Sequence, residues 1–334
     1  MTAAVLNRLA TELGLDVAGA AAVAPYESTE RHILDRRHRG LFADMRFTMA
    51  QPEVSCHPEL LLEGARTVVS AALCYYAPGP APGPDEGKLP RYTWRDAYTE
   101  LRTKLETLGE RLGGRYRVLV DANDHVDREA AVRAGVGFYG KNTVVITPTH
   151  GSWVVLGTLV TDVEIEGSEP LGLDCGSCRL CIDACPTGAL DEPGELDATR
   201  CLSYWTQAPA PIPEEYREDL GAMVYGCDIC QDVCPWNRAI EKRRAGEALP
   251  RDAEPVVSLR DWLERDGEGL VADFDRLYVP RNDPRWLRRN ALVAAGNVGT
   301  DDLEPVARRY ADGDDAMLAD TAAWALERIA GRSS

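Results

Sequence analysis

Eight of the ten cysteines in this 334-residue chain fall between Asp174 and Pro235, and no other feature restricts the fold so strongly. They come as two runs. Cys175-Gly-Ser-Cys178-Arg-Leu-Cys181-Ile-Asp-Ala-Cys185-Pro186 has the C-x2-C-x2-C-x3-C-P spacing of bacterial two-cluster ferredoxins. Cys227-Asp-Ile-Cys230-Gln-Asp-Val-Cys234-Pro235 follows, with Cys201 between the runs. A cubane needs four thiolates, three from a tight turn and one from a distance, and the proline after the last cysteine ends its helix and closes the pocket. In such folds the fourth cysteine of each run ligates the other cluster. One [4Fe-4S] cluster is therefore assigned to Cys175, Cys178, Cys181 and Cys234, and the other to Cys185, Cys201, Cys227 and Cys230. Structural zinc is the alternative, because C-x2-C pairs also serve zinc. A third close cysteine followed by Cys-Pro fits zinc poorly, and eight ligands fill two cubanes with none left over. Cys56 and Cys74 remain, and the apolar run around Cys74 predicts an inert buried thiol.

So many cysteines in a chain of this length do not read as a disulfide framework, which belongs mainly to small secreted domains. The N-terminus meets Glu12 and Asp16 before any long apolar core forms, and the apolar stretch Val68 to Tyr76 is far short of the roughly 18 residues a membrane span needs. A cytoplasmic protein without membrane association is expected. With 37 Lys plus Arg against 54 Asp plus Glu, the formal charge of −17 argues against broad polyanion binding but leaves a local basic patch open.

Residues 1 to about 170 alternate helical and strand-like patterns, an α/β character. Leu6, Leu9 and Leu13 share a helical face that stops at Gly14, and Leu101, Leu105, Leu108 and Leu112 share another. Asp16 to Val23, Thr67 to Tyr75, Tyr116 to Val120, Thr143 to Ile146 and Ser152 to Val160 read as strands, and Asp127 to Ala134 as a helix. The Pro- and Gly-rich segment Ala77 to Pro90 reads as a loop without regular structure. Beyond Trp236, Asp283-Pro284 starts a helix carrying Leu287, Ala291 and Ala294 with Gly296 behind it, and two more helices are predicted at about Asp301 to Tyr310 and Asp314 to Ile329.

Gly135-Val-Gly137-Phe-Tyr-Gly140 satisfies G-x-G-x-x-G, yet a helical run rather than a strand precedes it, so Gly135 is read as the left-handed residue closing that helix. Asn142 stands where a phosphate-binding loop needs Ser or Thr. Asp121 ends an apolar strand, where ligands of open α/β sheets bind, and a partly desolvated carboxyl there could donate a proton. A turn or helix-capping role is the plainer alternative.

Val120-Asp121, Asp127-Arg128, Ala134 to Thr143, Gly151-Ser-Trp-Val-Val-Leu-Gly157, the two cysteine runs and Tyr225 to Asn237 together resemble the epoxyqueuosine reductase family. The likeness continues through Arg289-Asn290-Ala-Leu292 and Thr321-Ala-Ala-Trp324. It implies three parts: an α/β (α+β) cobalamin domain over 1–170, a ferredoxin-like double-cluster domain over 171–240, and a helical HEAT-like tRNA-binding region over 241–334. It further implies reduction of the epoxide of epoxyqueuosine at the tRNA wobble position to queuosine, with two [4Fe-4S] clusters relaying electrons to base-off cobalamin. By that resemblance Asp121 is the proton donor, and Asp121, Asn142, Gly151, Ser152, Trp153, Ser203 and Asp228 surround the cobalamin. A low-potential electron donor and a monomeric enzyme are expected with it. None of the five histidines lies in an Asp-x-His-x-x-Gly setting.

The chain departs from the family in three places. It reads Trp94-Arg95-Asp96-Ala97-Tyr98 where relatives carry Gly-Arg-Asp-Tyr-His, has Pro209-Ala210 where a basic residue and Gly are common, and lacks a basic residue at Ser55 to His57. Rival readings are a related cobalamin and iron–sulfur reductase of a small molecule, such as a reductive dehalogenase, and an electron-transfer protein without a substrate site. Arg276, Arg281, Arg285, Arg288 and Arg289 form the expected tRNA-binding patch, unless they pair with Asp312, Asp314 and Asp315.

Overall fold

The computed structural model describes residues 1–332. Among them run eight strands: β1 (Val17–Ala22), β2 (Thr67–Cys74), β3 (Glu86–Lys88), β4 (Tyr116–Val120), β5 (Phe138–Tyr139), β6 (Val145–Ile146), β7 (Val154–Thr161) and β8 (Val256–Ser258). The main sheet has the order β1-β2-β7-β4 with every neighbour antiparallel. The α/β alternation predicted from sequence therefore does not make a parallel sheet. The helix between β2 and β4, Ala97–Leu112, does return the chain in the same direction, but β7 is inserted between the two strands. This is a split βαβ unit, and β2 and β4 still end at the same edge. Cys74 of β2 sits opposite Val154 at the start of β7, and Val120 of β4 opposite Gly157. One end of the sheet thus gathers Tyr75 and Tyr76, Trp153 and Asp121.

Both faces of the sheet are covered, which explains why β2 is buried at consecutive positions from Thr67 to Leu73 and mostly apolar rather than alternating. On one face the helices Ala3–Glu12 and Ala97–Leu112 lay Leu6, Leu101, Leu105 and Leu108 against Val69, Ala71, Val155 and Leu159. Each such fully buried leucine contributes about 1.5–3 kcal/mol. On the other face Tyr26, Ile33 and Ala130 cover Val68, Leu119 and Val160. Ile33 belongs to the helix Glu27–His38, which has no apolar periodicity to announce it; Ile33 is its only buried residue.

Two sequence expectations are corrected. Ala77 to Pro90 contains β3, which pairs with β8, and Leu89 and Trp94 enter the same core as Trp262, Trp286 and Leu287. The prolines bracket this strand instead of preventing it, because a three-residue edge needs few backbone donors. Gly296 lies inside the helix Arg285–Val298, not behind it, because a β-carbon there would stand 2.3 Å from the Trp324 ring of the helix Ala316–Arg332. The glycine lets the two helices touch. Gly135 does close the Asp127–Arg133 helix, at φ +67.

Candidate active site and cluster cavities

Cys175, Cys178, Cys181 and Cys234 line one cavity of about 110 Å³ together with Lys141, Asn142, Ile146, Pro235 and Trp236. The last cysteine of the second run therefore joins the first three of the first run, the crosswise grouping read from spacing. Cys185, Cys201, Cys227 and Cys230 form the other group; burial raises the pKa values of Cys201, Cys227 and Cys230, and the neighbouring thiols add to the effect. Cys227 is pushed up to about 12. Such thiols ionise only against a strong positive charge, and bound iron supplies one. All ten cysteines are free thiols, and burial holds Cys56 and Cys74 up to about 11, which makes them poor nucleophiles at neutral pH.

The sheet end described above opens into a cleft. Tyr75, Tyr92, Tyr98, Asp121 and Asp127 all keep contact with solvent. Desolvation nonetheless dominates the pKa of each and raises it. Groups both reachable and deeply surrounded line the walls of a cleft rather than an open face. Asp121 acts electrostatically on Tyr98 and Tyr225, and Asp228 acts on Tyr75 and Tyr92, so the two carboxyls border one ring of tyrosines. The Asp121 carboxyl is exposed on the cleft wall, where desolvation raises its pKa and Arg102 opposes the rise. Asp121 holds φ +51, a left-handed conformation costly for a residue with a β-carbon, and Arg102 fastens the preceding residue by donating to the Val120 carbonyl at 2.7 Å. Asp228 is buried, accepts the Arg91 N–H at 2.8 Å and has its pKa pushed up to about 6 by burial. Ser203 is half-buried, its hydroxyl 3.2 Å from the Gln207 amide.

Three residues expected at a cofactor instead join the N-terminal part to the cysteine-bearing segment. Ser152 N–H donates to Asn237 Oδ1 at 2.7 Å, and the Gln231 amide donates to the Ser152 carbonyl at 2.9 Å. Trp153 is fully buried, donates to Glu241 at 3.0 Å and lies 4.9 Å beneath the Arg91 guanidinium. Gly151 has φ +58, and a β-carbon there would stand 2.0 Å from Asn237 Oδ1. The polar groups of Ser152 and Trp153 are thus engaged within the protein, at the junction of the sheet with the cysteine-bearing segment. Asn142 lies in the wall of the first cysteine cavity.

The expected arginine patch is corrected at Arg289. Arg289 has no exposed surface, and its guanidinium donates to the carbonyls of Ala208, Ala210, Trp205 and Thr206. It cannot reach a phosphate. Arg276 bonds Thr93 O and Glu254, Arg285 pairs with Asp283 and Asp315, and Arg288 donates to Arg265 O. Arg281 is exposed, with no ion pair among the described residues. Beside it Tyr278 is 67% exposed while its backbone N–H and carbonyl both bond the Tyr225 hydroxyl. Sequence reasoning missed the tyrosine ring and Arg91, because these residues converge from separate segments and no local spacing announces them.

An antiparallel sheet bearing a carboxyl acid at its open end, joined by a buried polar seam to one four-cysteine cavity and a second group of four neighbouring cysteines, defines a double-cluster iron–sulfur reductase. Residues 174–237 match the family described as 4Fe-4S double cluster binding domain, and residues 56–127 match Epoxyqueuosine reductase QueG, DUF1730. An epoxyqueuosine reductase of Lactococcus garvieae is 33% identical over 97% of this chain and 95% of its own length, and one of Synechococcus is 38% identical over 86% and 93%. A crystal structure of an epoxyqueuosine reductase with an epoxyqueuosine-modified tRNA-Tyr stem loop superposes with a TM-score of 0.87 at 30% identity, covering 98% of this chain and 89% of that one. The Streptococcus thermophilus enzyme gives 0.85 at 31% identity, covering 98% and 90%. The chain belongs to the epoxyqueuosine reductase family.

Proposed function

We propose that this chain removes the epoxide oxygen of epoxyqueuosine at the wobble position of a tRNA, releasing it as water and leaving queuosine. The change takes two electrons and two protons. The observation that carries the reading is Asp121, a carboxyl of raised pKa on the wall of a tyrosine-lined cleft, within a chain of this family. The cysteine cavities fit two [4Fe-4S] clusters by the chemistry of their donors. The cleft fits base-off cobalamin, because its aromatic walls suit a broad conjugated ring and none of the five histidines is needed as a ligand. Asp121, Ser203 and Asp228 would hold it there. Bound cobalamin would supply a low-potential cobalt centre able to reduce a carbon–oxygen bond.

Asp121 keeps its proton to a higher pH than an ordinary carboxyl and delivers it to the departing oxygen, which would otherwise leave as a poor alkoxide. Segments 1–170, 171–240 and 241–334 serve as cofactor domain, cluster domain and HEAT-like tRNA-binding region, and the enzyme works as a cytoplasmic monomer. Among the described residues no helix is long and apolar enough to cross a membrane. The cysteines that would hold the first cluster include Cys175, Cys178 and Cys181, which flank the exposed Gly176–Ser177 and the 44%-exposed Leu180, so a low-potential donor would deliver its electrons on this side. The test is turnover of an epoxyqueuosine-bearing stem loop by protein reconstituted with iron, sulfide and cobalamin. Asp121→Asn should keep both cofactors and lose about 10²- to 10⁴-fold in rate. Turnover within about threefold of the parent leaves Asp121 only a capping role.

A further inference from the structure

Asn142 is 4% exposed, and neither its amide nitrogen nor its amide oxygen has a hydrogen-bond partner. A buried amide left so costs about 1–3 kcal/mol, and native structures rarely tolerate it without a reason. The surroundings supply one. Asn142 lines the cavity together with the thiols of Cys175, Cys178, Cys181 and Cys234 and with Lys141, whose ammonium is bonded to the Gly176 and Cys178 carbonyls.

The turn that carries it is fixed from several sides. Asn142 sits in the connection between β5 and β6, where Gly140 N–H bonds Val144 O and Thr143 N–H bonds Gly140 O, both at 2.9 Å. Arg128 donates to Thr143 O at 3.0 Å. Lys141 donates through Nζ to Gly176 O at 2.6 Å and Cys178 O at 2.9 Å, tying the turn to the loop that bears the first thiols. Gly194 N–H closes on Lys141 O at 2.9 Å. A β-carbon at position 140 would stand 2.4 Å from Asn142 Oδ1, so that position is also empty to make room for the amide. A side chain held so firmly with nothing to bond is shaped for a partner that arrives later.

We propose that the Asn142 amide donates an N–H to a sulfur of the first cluster and thereby raises that cluster's reduction potential. The inference rests on the cluster reading of the cysteines. Thiolates and inorganic sulfides accept hydrogen bonds and cannot donate, so the NH₂ end of the amide must face them. A bond to sulfur strengthens as the cluster gains an electron and negative charge, which favours the reduced state; hydrogen bonds to sulfur are among the factors that set cluster potentials. Asn142 is then a positioning residue for electron flow. It makes the first cluster easier to reduce than its cysteines alone would, which favours accepting electrons at the surface.

The test is a potentiometric titration of the holoprotein followed by electron paramagnetic resonance, comparing the parent with Asn142→Leu and Asn142→Ala. The parent should carry about eight irons per chain and show two reduced-cluster signals. A parent without iron would overturn the cluster reading itself, before any variant is compared. With that reading secure, each variant should keep both clusters, and one signal should need a lower potential. At the parent's midpoint the reduced-to-oxidised ratio of that cluster should fall about tenfold, as expected for a bond to a charged group worth about 1.4 kcal/mol. The second cluster should not move. Ratios within twofold of the parent in both variants overturn the proposal. Failure of both variants to hold the first cluster also overturns it, because a single tuning donor does not anchor a four-cysteine site; where only one variant loses it, the other supplies the measurement.

Discussion

Arg289→Met separates a structural arginine from a nucleic-acid contact. The guanidinium is fully buried with no carboxylate partner, and burial alone lowers its pKa to about 9. It is still charged at neutral pH. A fall from 12.5 to about 9 corresponds to solvation lost on the order of 5 kcal/mol, at 1.36 kcal/mol per unit. The compensation is a fork of donors set on four carbonyls, at 2.7 Å to Ala208, 2.9 Å to Trp205, 3.2 Å to Thr206 and also to Ala210, with Asn290 Oδ1 at 2.9 Å closing the ring. Asn290 turns its own amide to Thr206 O and Val224 O at 2.8 Å each. Together the pair fastens the helix Arg285–Val298 to the segment after Cys201. Methionine fills the volume but leaves the carbonyls dry and unbonded, a loss of about 3–5 kcal/mol by comparison with other broken buried charge networks. Arg289→Lys should fall between, because an ammonium lacks the planar fork. Denaturant midpoints with matched iron content are the assay, alongside stem-loop affinity of the fraction still folded. A methionine variant as stable as the parent that no longer binds the stem loop would refute the structural assignment.

The remaining predictions concern single charges. Arg281→Glu should leave the denaturant midpoint unchanged, weaken stem-loop binding and lower the slope of log affinity against log salt by about one per lost phosphate contact; equal affinity would move the interface elsewhere. His125 is 2% exposed with neither ring nitrogen bonded, and burial lowers its pKa to about 4. Its neutral form is the folded one, so the stability it permits is full above pH 6.5 and is lost as pH falls from there towards 4, by about 2 kcal/mol at pH 5. His125→Phe should remove that part of the pH dependence, and an unchanged acid limb would show that other groups carry it. Arg102 opposes the raised pKa of Asp121, so Arg102→Met should shift the alkaline limb of the rate profile, where the acid loses its proton, to higher pH; a downward shift would exclude Asp121 as that acid.

Much of the chemistry was legible because it is local. The cysteine spacing paired Cys234 with the first run across more than fifty residues, and the apolar strand ending at Asp121 marked the open end of the sheet. Leucine periodicity located the Ala97–Leu112 helix for the same reason. What the sequence concealed is long-range or non-periodic. The helix Glu27–His38 buries a single apolar side chain, so its pattern resembles a solvated segment. The arginines before and within Arg285–Val298 look alike in sequence, yet Arg289 is wholly enclosed, Arg276 and Arg285 are paired with carboxylates and Arg281 has no ion pair among the described residues, a distinction set by the segments packed around them. Trp153 and Ser152 fall in a family motif, but their partners, Glu241 and Asn237, lie some 85 residues on.

These long-range contacts explain how the acid and the cysteine-bearing segment are placed relative to one sheet. Asp121 is fixed by two clamps. Arg102 holds the carbonyl before it, while on the far side of the turn Val126 N–H bonds Ser55 O at 3.0 Å and Arg117 pairs with Asp124. Between these clamps the backbone takes the left-handed turn at Asp121, a local cost that only surrounding structure can sustain. The cysteine-bearing segment is placed independently, through Gly151, Ser152 and Gln231, at the start of β7. Because β7 lies hydrogen-bonded beside β4, both placements refer to the same two strands. The acid and the cysteine cavities are thus positioned by one rigid sheet edge rather than by direct contact with each other.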